Sequence, residues 1–312
     1  MRSPKTVLVT GTSGFFGLPA AEALAAEGYR VIGLDLVRPD VPVSFETVVN
    51  DFSNLHVLYK LLIENNVDTI VHVGGISGPM LARDDPFAIC SANVIGTMNL
   101  LEAARVTGVE RFVYCSSASA YGDTPPPPVS DDPPLRAVDI YSASKGAGDL
   151  MLRAYRFQHR LDAISLRISN GYGPRRRTRC AVGIMIQNAL DEVPTHLDWG
   201  KGYGRSYLYV ADGVRAIVAA VKVEHTPQWS YNITGSEFRM MEDIAAMVER
   251  QIPGAKITLE PGVDTLGYRR EQLDISAAAR DLGWRPDFTI ERGIAAYTEF
   301  LKAEKQSAAT KP

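Results

Sequence analysis

Three side chains in the middle of the sequence have the types and spacing for proton transfer: Ser117, Tyr141 and Lys145. Tyr141 and Lys145 stand four positions apart, so on a helix they lie on the same face. An ammonium beside a phenol favours the phenolate, which moves a base with an unperturbed pKa of about 10 toward working pH. Ser117 ends an apolar run and is placed to donate a hydrogen bond to a substrate oxygen. These residues predict acid–base chemistry on a hydroxyl group.

A glycine-rich turn near the N-terminus predicts the element that holds a cofactor beside these residues. An apolar strand is followed by Gly11, Gly14 and Gly17, then by an Ala-rich helix and a second apolar run that Asp35 closes. Gly11 permits the turn, Gly14 lets amides approach a pyrophosphate, and Gly17 allows close helix–strand packing. Asp35 is spaced to bond the adenosine ribose and to repel a 2′-phosphate, so NAD is predicted over NADP. Arg38 weakens that preference.

The ends of the next two strands predict further contacts with the cofactor. Asp51 and Phe52 follow the third strand, where Asp51 would bond the exocyclic amine of adenine and Phe52 would lie against the ring. The alternative is that Asp51 is the N-cap of the next helix. Val73, Gly74 and Gly75 end the fourth strand, and the two glycines bring backbone close to a ligand.

Strands and helices alternate through the first half of the chain, which predicts an α/β fold with a doubly wound parallel (Rossmann) sheet. Residues 1–169 are predicted to form the NAD-binding domain, to which the chain returns around 205–235. Residues 170–312 are predicted to form mainly a smaller, mixed substrate-binding lobe. A chain of 312 residues with 46% hydrophobic content is long enough for this arrangement.

Composition argues against several classes of partner. The net charge is −3, and no basic face with interleaved aromatics is present, so nucleic acid is not expected. No membrane association is expected, because no apolar run approaches the roughly 20 residues of a membrane span. No signal peptide is expected either, and three scattered cysteines fit a reducing cytoplasm. The five histidines lack ligand spacing, so no metal site is predicted.

These motifs together resemble the extended short-chain dehydrogenase/reductase family, which includes NAD-dependent nucleotide-sugar epimerases and dehydratases. The matching segments are Thr10-Gly11-x-x-Gly14-x-x-Gly17, Asn93-x-x-Gly96-Thr97, Ser117-x-x-x-Tyr121-Gly122, Tyr141-x-x-x-Lys145, Arg167-x-x-Asn170-x-Tyr172-Gly173-Pro174 and Leu282-Gly283-Trp284-x-Pro286. The resemblance implies that Ser117, Tyr141 and Lys145 are catalytic, with Ser116 and Ser119 as second choices for the serine. It also implies that Asn93 orders the strands beside the active site. The predicted cofactor-binding residues are Gly11, Ser13, Gly14, Phe15, Phe16, Gly17, Asp35, Asp51, Phe52, Val73, Gly74, Gly75, Asn93, Tyr141 and Lys145.

The resemblance further implies contacts with the phosphates of a nucleotide sugar. Asn170 and Arg205 fall where such enzymes place phosphate-binding residues. The arginine-rich run 175–179 is either a solvated loop or an anion site. Glu260 stands where a second diphosphate-binding arginine is expected, and one of the arginines at 269–270 could replace it. The predicted substrate-binding residues are Ser77, Ser117, Ser119, Asn170, Arg179, Arg205 and Arg270.

Two enzymatic functions and one non-enzymatic function are compatible with the motifs. The first is an NAD-dependent epimerase of a sugar or nucleotide sugar, in which Tyr141 removes a hydroxyl proton while hydride passes to NAD and later returns to the other face. The second is an NAD-dependent dehydrogenase of a free sugar, sugar acid or other small secondary alcohol. The third is a dinucleotide-binding regulatory protein without activity. Dehydration is not expected, because Ser117-Ala118-Ser119 replaces the Thr-Asp-Glu of the dehydratases.

The expected partners are a sugar or sugar-nucleotide substrate and a second copy of the chain. In the resembled family, dimers commonly form through two helices, which correspond here to Pro86–Thr107 and Ile140–Phe157. Isologous pairing of these helices would give a twofold-symmetric homodimer.

Overall fold

The computed structural model describes residues 5–78, 81–82, 84–124, 129–264 and 271–309. Its strands are β1 (Thr6–Thr10), β2 (Arg30–Asp35), β3 (Glu46–Val49), β4 (Thr69–His72), β5 (Arg111–Ser117), β6 (Asp162–Ile168), β7 (Asn170–Tyr172), β8 (Thr195–Lys201), β9 (Gly204–Tyr209), β10 (Ser230–Ile233), β11 (Phe238–Met240) and β12 (Ile257–Pro261). Its α-helices are α1 (Gly17–Ala26), α2 (Leu55–Glu64), α3 (Pro86–Cys90), α4 (Gly96–Thr107), α5 (Ile140–His159), α6 (Ala181–Leu190), α7 (Val210–Lys222), α8 (Met241–Gln251), α9 (Ser276–Asp281) and α10 (Ile290–Ala309).

The main sheet has seven parallel strands in the order β10-β6-β5-β4-β1-β2-β3. Every residue of β1 is buried, as expected for a strand with helices on both faces. Val7 and Val9 pack in one core with Leu24 of α1, whereas Leu8 packs in the other with Leu58 of α2 and Leu100 of α4. This alternation confirms the predicted doubly wound sheet.

The strand order reverses between β1 and β4, and this reversal opens a crevice at their carboxyl ends. The chain leaves β1 to form β2 on one side, whereas β4 and β5 lie on the other. Ligands of open parallel sheets bind in such a crevice. The glycines that follow β1 and β4 therefore lie where a dinucleotide is expected.

The rest of the chain supplies smaller sheets and one strand of the main sheet. β7, β9 and β11 form a mixed three-stranded sheet, and β8 pairs with β12. β10 returns to the edge of the main sheet beside β6. The mixed lobe was predicted from the sequence, whereas the division at residue 169 stays a prediction.

Two helices have features that the sequence motifs do not indicate. α10 continues to Ala309, close to the end of the chain. The predicted helix Pro86–Thr107 is helical throughout, but a π-helical turn over Ser91–Ile95 separates α3 from α4. Contrary to the expectation about apolar runs, this stretch could cross a membrane by length and by its mean hydropathy of 1.3, within the described residues. Length and hydropathy are weak evidence for a membrane span, because the core helices of soluble proteins have the same properties. In this stretch, 44% of the most apolar 18 residues are buried inside the protein.

A buried ion pair fastens α5 to the sheet. Arg167 on β6 and Asp149 on α5 are 1% and 0% exposed, and their Nε and Oδ2 atoms are 2.6 Å apart. The Ser165 hydroxyl donates to the other carboxylate oxygen of Asp149 at 2.6 Å. The Arg167 guanidinium also donates to the Tyr121 hydroxyl at 3.0 Å. Because Tyr141 lies on α5, this pair helps to set the position of the predicted base.

Substituting one partner of this pair is expected to destabilise the protein more than substituting both. Asp149→Leu leaves the Arg167 cation buried without its counter-charge, at a cost of about 3–5 kcal/mol in the free energy of unfolding. The double variant Asp149→Leu/Arg167→Met removes both charges and is expected to recover much of that loss. Urea unfolding of the three proteins measures the difference. A double variant less stable than Asp149→Leu would contradict this account.

Candidate active site

A cleft of about 1200 Å³ runs along the carboxyl ends of the strands and faces the smaller lobe. Its volume exceeds the roughly 300–1,000 Å³ of a site for one small ligand, so it has room for a dinucleotide and a second ligand. Most of the predicted site residues line it: Gly11, Ser13, Gly14, Phe15, Phe16, Asp35, Asp51, Phe52, Val73, Gly74, Gly75, Ser77, Ser117, Ser119, Tyr141, Lys145, Asn170, Arg179 and Arg205.

Of the predicted site residues that the structure describes, two are not in the cleft wall. Gly17 has a packing role instead, because a Cβ there would lie 1.9 Å from the Gly11 carbonyl oxygen. Asn93 lies behind the wall and is 1% exposed. Arg270 lies outside the described residues.

The glycine turn presents the start of α1 to the cleft. Gly11 has a φ of 73°, and a Cβ on it would lie 2.7 Å from the Gly74 backbone. No side chain caps the first turn of α1. The Leu18 amide in this turn donates to the Gly14 carbonyl at 3.2 Å and Pro19 has no amide proton, so an anion at this end would bind the amides that precede Leu18. The Ser13 amide donates to Asp35 at 2.8 Å, which ties the turn to the end of β2. These features fit the pyrophosphate and ribose of a dinucleotide.

Two residues near the predicted adenosine end resolve open alternatives. Asp51 is not the N-cap of α2: the cap is Asn54, whose side chain accepts from the Val57 amide at 3.3 Å. The alternative role of Asp51 is therefore wrong. Arg38 donates to the Thr47 hydroxyl at 3.3 Å and does not line the cleft. Its side chain is thus directed toward β3.

Phe52 is more buried in the cleft wall than its predicted contact with the adenine ring requires. Its ring is 9% exposed and packs with a centroid distance of 5.4 Å from His72. A Cβ on Gly74 would lie 2.9 Å from this ring, and one on Gly96 would lie 2.2 Å from it. The glycines at 74 and 96 therefore make room for Phe52 itself, which lines the cleft at its edge.

The predicted catalytic residues converge on one part of the cleft. Tyr141 and Lys145 occupy successive turns of α5, and the Lys145 ammonium donates to the Cys115 carbonyl at 3.0 Å. Ser117 lies at the end of β5, with its hydroxyl 2.8 Å from that of Ser119. All four polar side chains are at least nine-tenths buried, so their charges and dipoles act in a poorly solvated environment.

Burial also changes the proton affinity of the lysine. It lowers the pKa of Lys145 to about 8, and the negative charge of Asp149 on the next turn opposes part of that shift. The Lys145 ammonium lies 4.9 Å from the centre of the Tyr114 ring, which favours the cation. Lys145 is therefore cationic at neutral pH but loses its proton within an ordinary assay range.

Asn93 links the cleft wall to the catalytic helix. Its side chain donates to the Ile76 carbonyl and accepts from the Ile76 amide, at 3.0 and 2.8 Å. It also donates to the Ser144 hydroxyl at 3.0 Å. Asn93 lies in the π-helical turn, a feature that is frequent at functional sites. The predicted role of Asn93 in ordering the strands agrees with these contacts. Its predicted contact with the cofactor would need it to line the cleft, which it does not.

Among the residues that the structure describes, three arginines of the run have partners and one has none. Arg175 and Arg177 both form ion pairs with Asp40, on the loop after β2. Arg176 donates to the carbonyl oxygens of Gly171 and Thr178. Arg179 is exposed, lines the cleft and forms no hydrogen bond or ion pair with any residue that the structure describes.

In the smaller lobe, the predicted Arg205 is paired with Asp264, a site residue that the motifs did not indicate. The Arg205 guanidinium lies over the rings of Trp199 and Tyr203, at 5.1 and 5.2 Å from their centroids. Its guanidinium is 3.3 Å from the carboxylate of Asp264, which also lines the cleft. Asp264 stands four residues after Glu260, in the segment where a second diphosphate-binding arginine is expected. An acid in that segment is the signal in the sequence that could have indicated this residue.

Positive charge predominates where the smaller lobe lines the cleft. Five arginines line it (Arg175, Arg176, Arg177, Arg179 and Arg205), against Asp198 and Asp264. The described residues include no group of three or more His, Cys, Asp or Glu side chains that could hold a metal ion.

The fold and the site define an NAD-dependent enzyme of the extended short-chain dehydrogenase/reductase type. Residues 7–234 match the NAD dependent epimerase/dehydratase family, so the chain belongs to that family, and the predicted cofactor is confirmed at that level. The chain is 34% identical to a UDP-glucose 4-epimerase of Mycolicibacterium smegmatis, over 96% of this chain and 99% of that protein. It is 30% identical to a dTDP-glucose 4,6-dehydratase of Streptomyces antibioticus, over 93% and 90%.

A solved structure extends this similarity to the whole fold. It is that of a Bacillus cereus UDP-glucuronic acid 4-epimerase in complex with UDP-glucuronic acid and NAD. It matches with a TM-score of 0.84 and 26% identity, and the match covers 96% of this chain and 99% of that one. The relatives thus include both epimerases and dehydratases of nucleotide sugars.

The lysine predicts a pH dependence of turnover. The cationic form of Lys145 exists below its pKa of about 8 and the neutral amine above it, so stabilisation of the Tyr141 phenolate weakens as pH rises through 8. We expect kcat/KM to fall on that side with an apparent pKa near 8. In Lys145→Met, the residual activity is expected to show no break there. A break that survives in Lys145→Met would assign it to another group.

Proposed function

We propose that this protein is an NAD-dependent epimerase of a nucleotide sugar that acts through a transient keto intermediate. The observation that carries this proposal is the continuity of one cleft. The uncapped start of α1, the Ser117, Tyr141 and Lys145 side chains and the arginine-rich wall all line it. A dinucleotide and a diphosphate-bearing sugar can therefore meet at the tyrosine.

In the proposed mechanism, Lys145 stabilises the phenolate form of Tyr141, which takes the proton from a sugar hydroxyl and becomes the neutral phenol. Ser117 donates a hydrogen bond to the same oxygen and holds it at the tyrosine. NAD, when bound, supplies a reversible hydride acceptor. After the ketone has turned over in the cleft, Tyr141 returns the proton to the oxygen. The low exposure of these side chains excludes water from the proton transfer.

The same cleft supports assignments for the cofactor. Asp35 would bond the adenosine ribose, and the backbone of the turn that includes Ser13 and Gly14 would lie against the pyrophosphate. Asp51 would accept from the adenine amine, with Phe52 along the edge of the ring. Asp51 is exposed, and its carboxylate also accepts from the Ser53 amide at 2.8 Å.

Charge supports the assignment of the substrate. Nucleoside diphosphate sugars carry two negative charges, and the smaller lobe offers an excess of arginines. We assign the phosphates to Asn170, Arg179 and Arg205. Arg179 would compensate for Glu260, which stands where the second diphosphate-binding arginine was expected and does not line the cleft. The relatives' substrates, UDP-sugars and a dTDP-sugar, agree with this class.

One observation favours a second candidate, an NAD-dependent dehydrogenase of a free sugar or sugar acid. Arg205 is already paired with Asp264, which leaves it less charge to offer a diphosphate. Arg179 could then bind a single carboxylate. A regulatory protein without activity is disfavoured, because Ser117, Tyr141 and Lys145 all line the cleft.

Oligomeric state and location remain proposals. Helices α4 and α5 carry apolar side chains with little cover: Met98, Val106, Ile140, Leu150 and Phe157 are exposed. We propose that these helices pair in a homodimer, which sedimentation equilibrium would detect as twice the chain mass. The free thiols of Cys90, Cys115 and Cys180 agree with a cytoplasmic location, and oxidant-free mass spectrometry of the native protein would reveal any disulfide.

The content of NAD in the purified protein separates the two enzymatic functions. An epimerase regains its hydride in each cycle, so the desalted and then denatured protein is expected to release nearly one NAD per chain. Tyr141→Phe is expected to retain that NAD and to lose turnover by at least a thousandfold, as is typical when a catalytic acid–base residue is removed. An empty site that refills with NAD and forms NADH from a sugar acid would favour the dehydrogenase. Unchanged turnover in Tyr141→Phe would refute both.

Arg179 and Arg177 provide a matched pair of tests for the substrate class. Both are exposed arginines in the cleft wall, but only Arg177 is ion-paired with a residue in the described part of the chain. Arg179→Gln is expected to raise KM for a nucleotide sugar about tenfold, the loss of one charged hydrogen bond, whereas Arg177→Gln is expected to change KM less than threefold. Equal effects in the two variants would show that Arg179 has no special role.

A further inference from the structure

A buried histidine that the proposed mechanism does not use lies behind the cleft wall. His72 ends β4, is 0% exposed and does not line the cleft. The rings of Phe52, Phe112 and Tyr114 surround it, with centroid distances of 5.4, 6.1 and 5.5 Å. A leucine or phenylalanine would fill such an apolar cavity without the cost of burying two polar nitrogens. The imidazole therefore needs an explanation in its hydrogen bonds.

Both ring nitrogens of His72 are bonded to threonine hydroxyls. Nδ1 is 2.8 Å from Thr10 Oγ1, and Nε2 is 2.9 Å from Thr97 Oγ1. The Thr97 hydroxyl donates its only proton to the Asn93 carbonyl at 2.6 Å, so it can only accept from Nε2. Nδ1 then has no proton and accepts from Thr10, whose oxygen accepts from the Gly74 amide at 3.0 Å. A single tautomer satisfies the whole chain.

The charge state of the ring agrees with that assignment. Burial lowers the pKa of His72 well below its usual value, and the nearby Lys145 cation lowers it further. A neutral ring has one donor and one acceptor, which is what the two threonines require.

The hydrogen-bonded chain continues from Asn93 to the catalytic helix. The Asn93 side chain bonds both backbone groups of Ile76 and the Ser144 hydroxyl. The Ser144 hydroxyl in turn donates to the Tyr141 carbonyl at 2.7 Å. One continuous path therefore connects the Gly74 amide, in the cleft wall, with the backbone of the predicted base.

We propose that His72 is a positioning residue that holds the Gly74–Ile76 wall of the cleft in register with Tyr141. A fully satisfied buried network admits one arrangement of its members, unlike an apolar contact that tolerates sliding. The distance between the wall and the phenol is thereby fixed across two strands, the π-helical turn and two helices. The effect on turnover rests on the proposed function, because a misplacement of about 1 Å at a reacting centre can cost about a hundredfold in rate.

A set of three variants separates positioning from stability. His72→Phe keeps an aromatic ring of similar size but removes both hydrogen bonds, which leaves the Thr10 hydroxyl proton without an acceptor. The triple variant Thr10→Val/His72→Phe/Thr97→Val removes both hydroxyls as well. It also takes the acceptor away from the Gly74 amide, so it is expected to regain part of the lost thermal stability. Thr97→Val alone breaks the Nε2 side and the bond to the Asn93 carbonyl, and it provides the test if His72→Phe does not fold.

We expect kcat to fall tenfold to a hundredfold in His72→Phe, with KM changed less than threefold, and to stay low in the triple variant although its melting temperature recovers in part. A triple variant with kcat within twofold of the wild type would overturn the proposal, because stability alone would then explain the loss. The same holds if KM rises in proportion to the fall in kcat/KM while kcat is kept.

Amide hydrogen exchange gives a readout that does not depend on turnover. In the NAD-loaded protein, the segment with Gly74 and Ile76 and the first turn of α5 are expected to exchange at least tenfold faster in the triple variant than in the wild type. Unchanged exchange in both segments would refute the positioning role. If the wild type proves inactive on sugars while exchange responds as expected, the proposed function fails and the positioning role of His72 stands.

Discussion

The close approach of two backbones at the end of β1 is the constraint on which the rest of the site depends. Gly11 leaves the strand in a left-handed conformation, beside the point where Gly74 leaves β4, and a side chain on Gly11 would collide with that backbone. The same turn lets Gly17 bring α1 against the Gly11 carbonyl. The start of α1 consequently faces the crevice between β1 and β4. Without this approach, the amides that can hold a pyrophosphate would point elsewhere.

Burial and charge then divide the cleft into two chemically different parts. Around Tyr141, Lys145 and Ser117 the side chains are nearly enclosed, and this burial lowers the pKa of Lys145 to about 8. Along the smaller lobe the wall is more open and rich in arginine, which suits phosphates that keep part of their hydration. Family membership agrees with both parts: an NAD-dependent reaction and the nucleotide sugars of the relatives.

The polar interior behind the cleft is less visible from the cleft itself. Arg167 and Asp149 fasten α5 to β6, while His72 and Asn93 connect the wall to the same helix. Both networks join elements that are far apart in sequence, and both end on the helix that carries Tyr141. The catalytic helix is therefore positioned by satisfied polar contacts as well as by apolar packing.

The sequence by itself determined what depends on neighbouring residues. The spacing of the glycines indicates a turn that side chains would block, and a run of apolar residues indicates a buried strand. The four-residue interval between Tyr141 and Lys145 places both on one face of a helix. The parallel sheet, the cofactor turn and the family followed from these local signals. They were sufficient because backbone conformation and helical periodicity are properties of short segments.

Only the tertiary structure decided which distant side chains meet. It paired Arg205 with Asp264 and Arg175 with Asp40, left Arg179 without a described partner, and placed His72 between two threonines. None of these contacts has a fixed interval in the chain. Whether a charge is offered to a ligand or neutralised by a neighbour depends on distances of a few ångströms across separate elements, and those distances exist only after the strands and helices have packed.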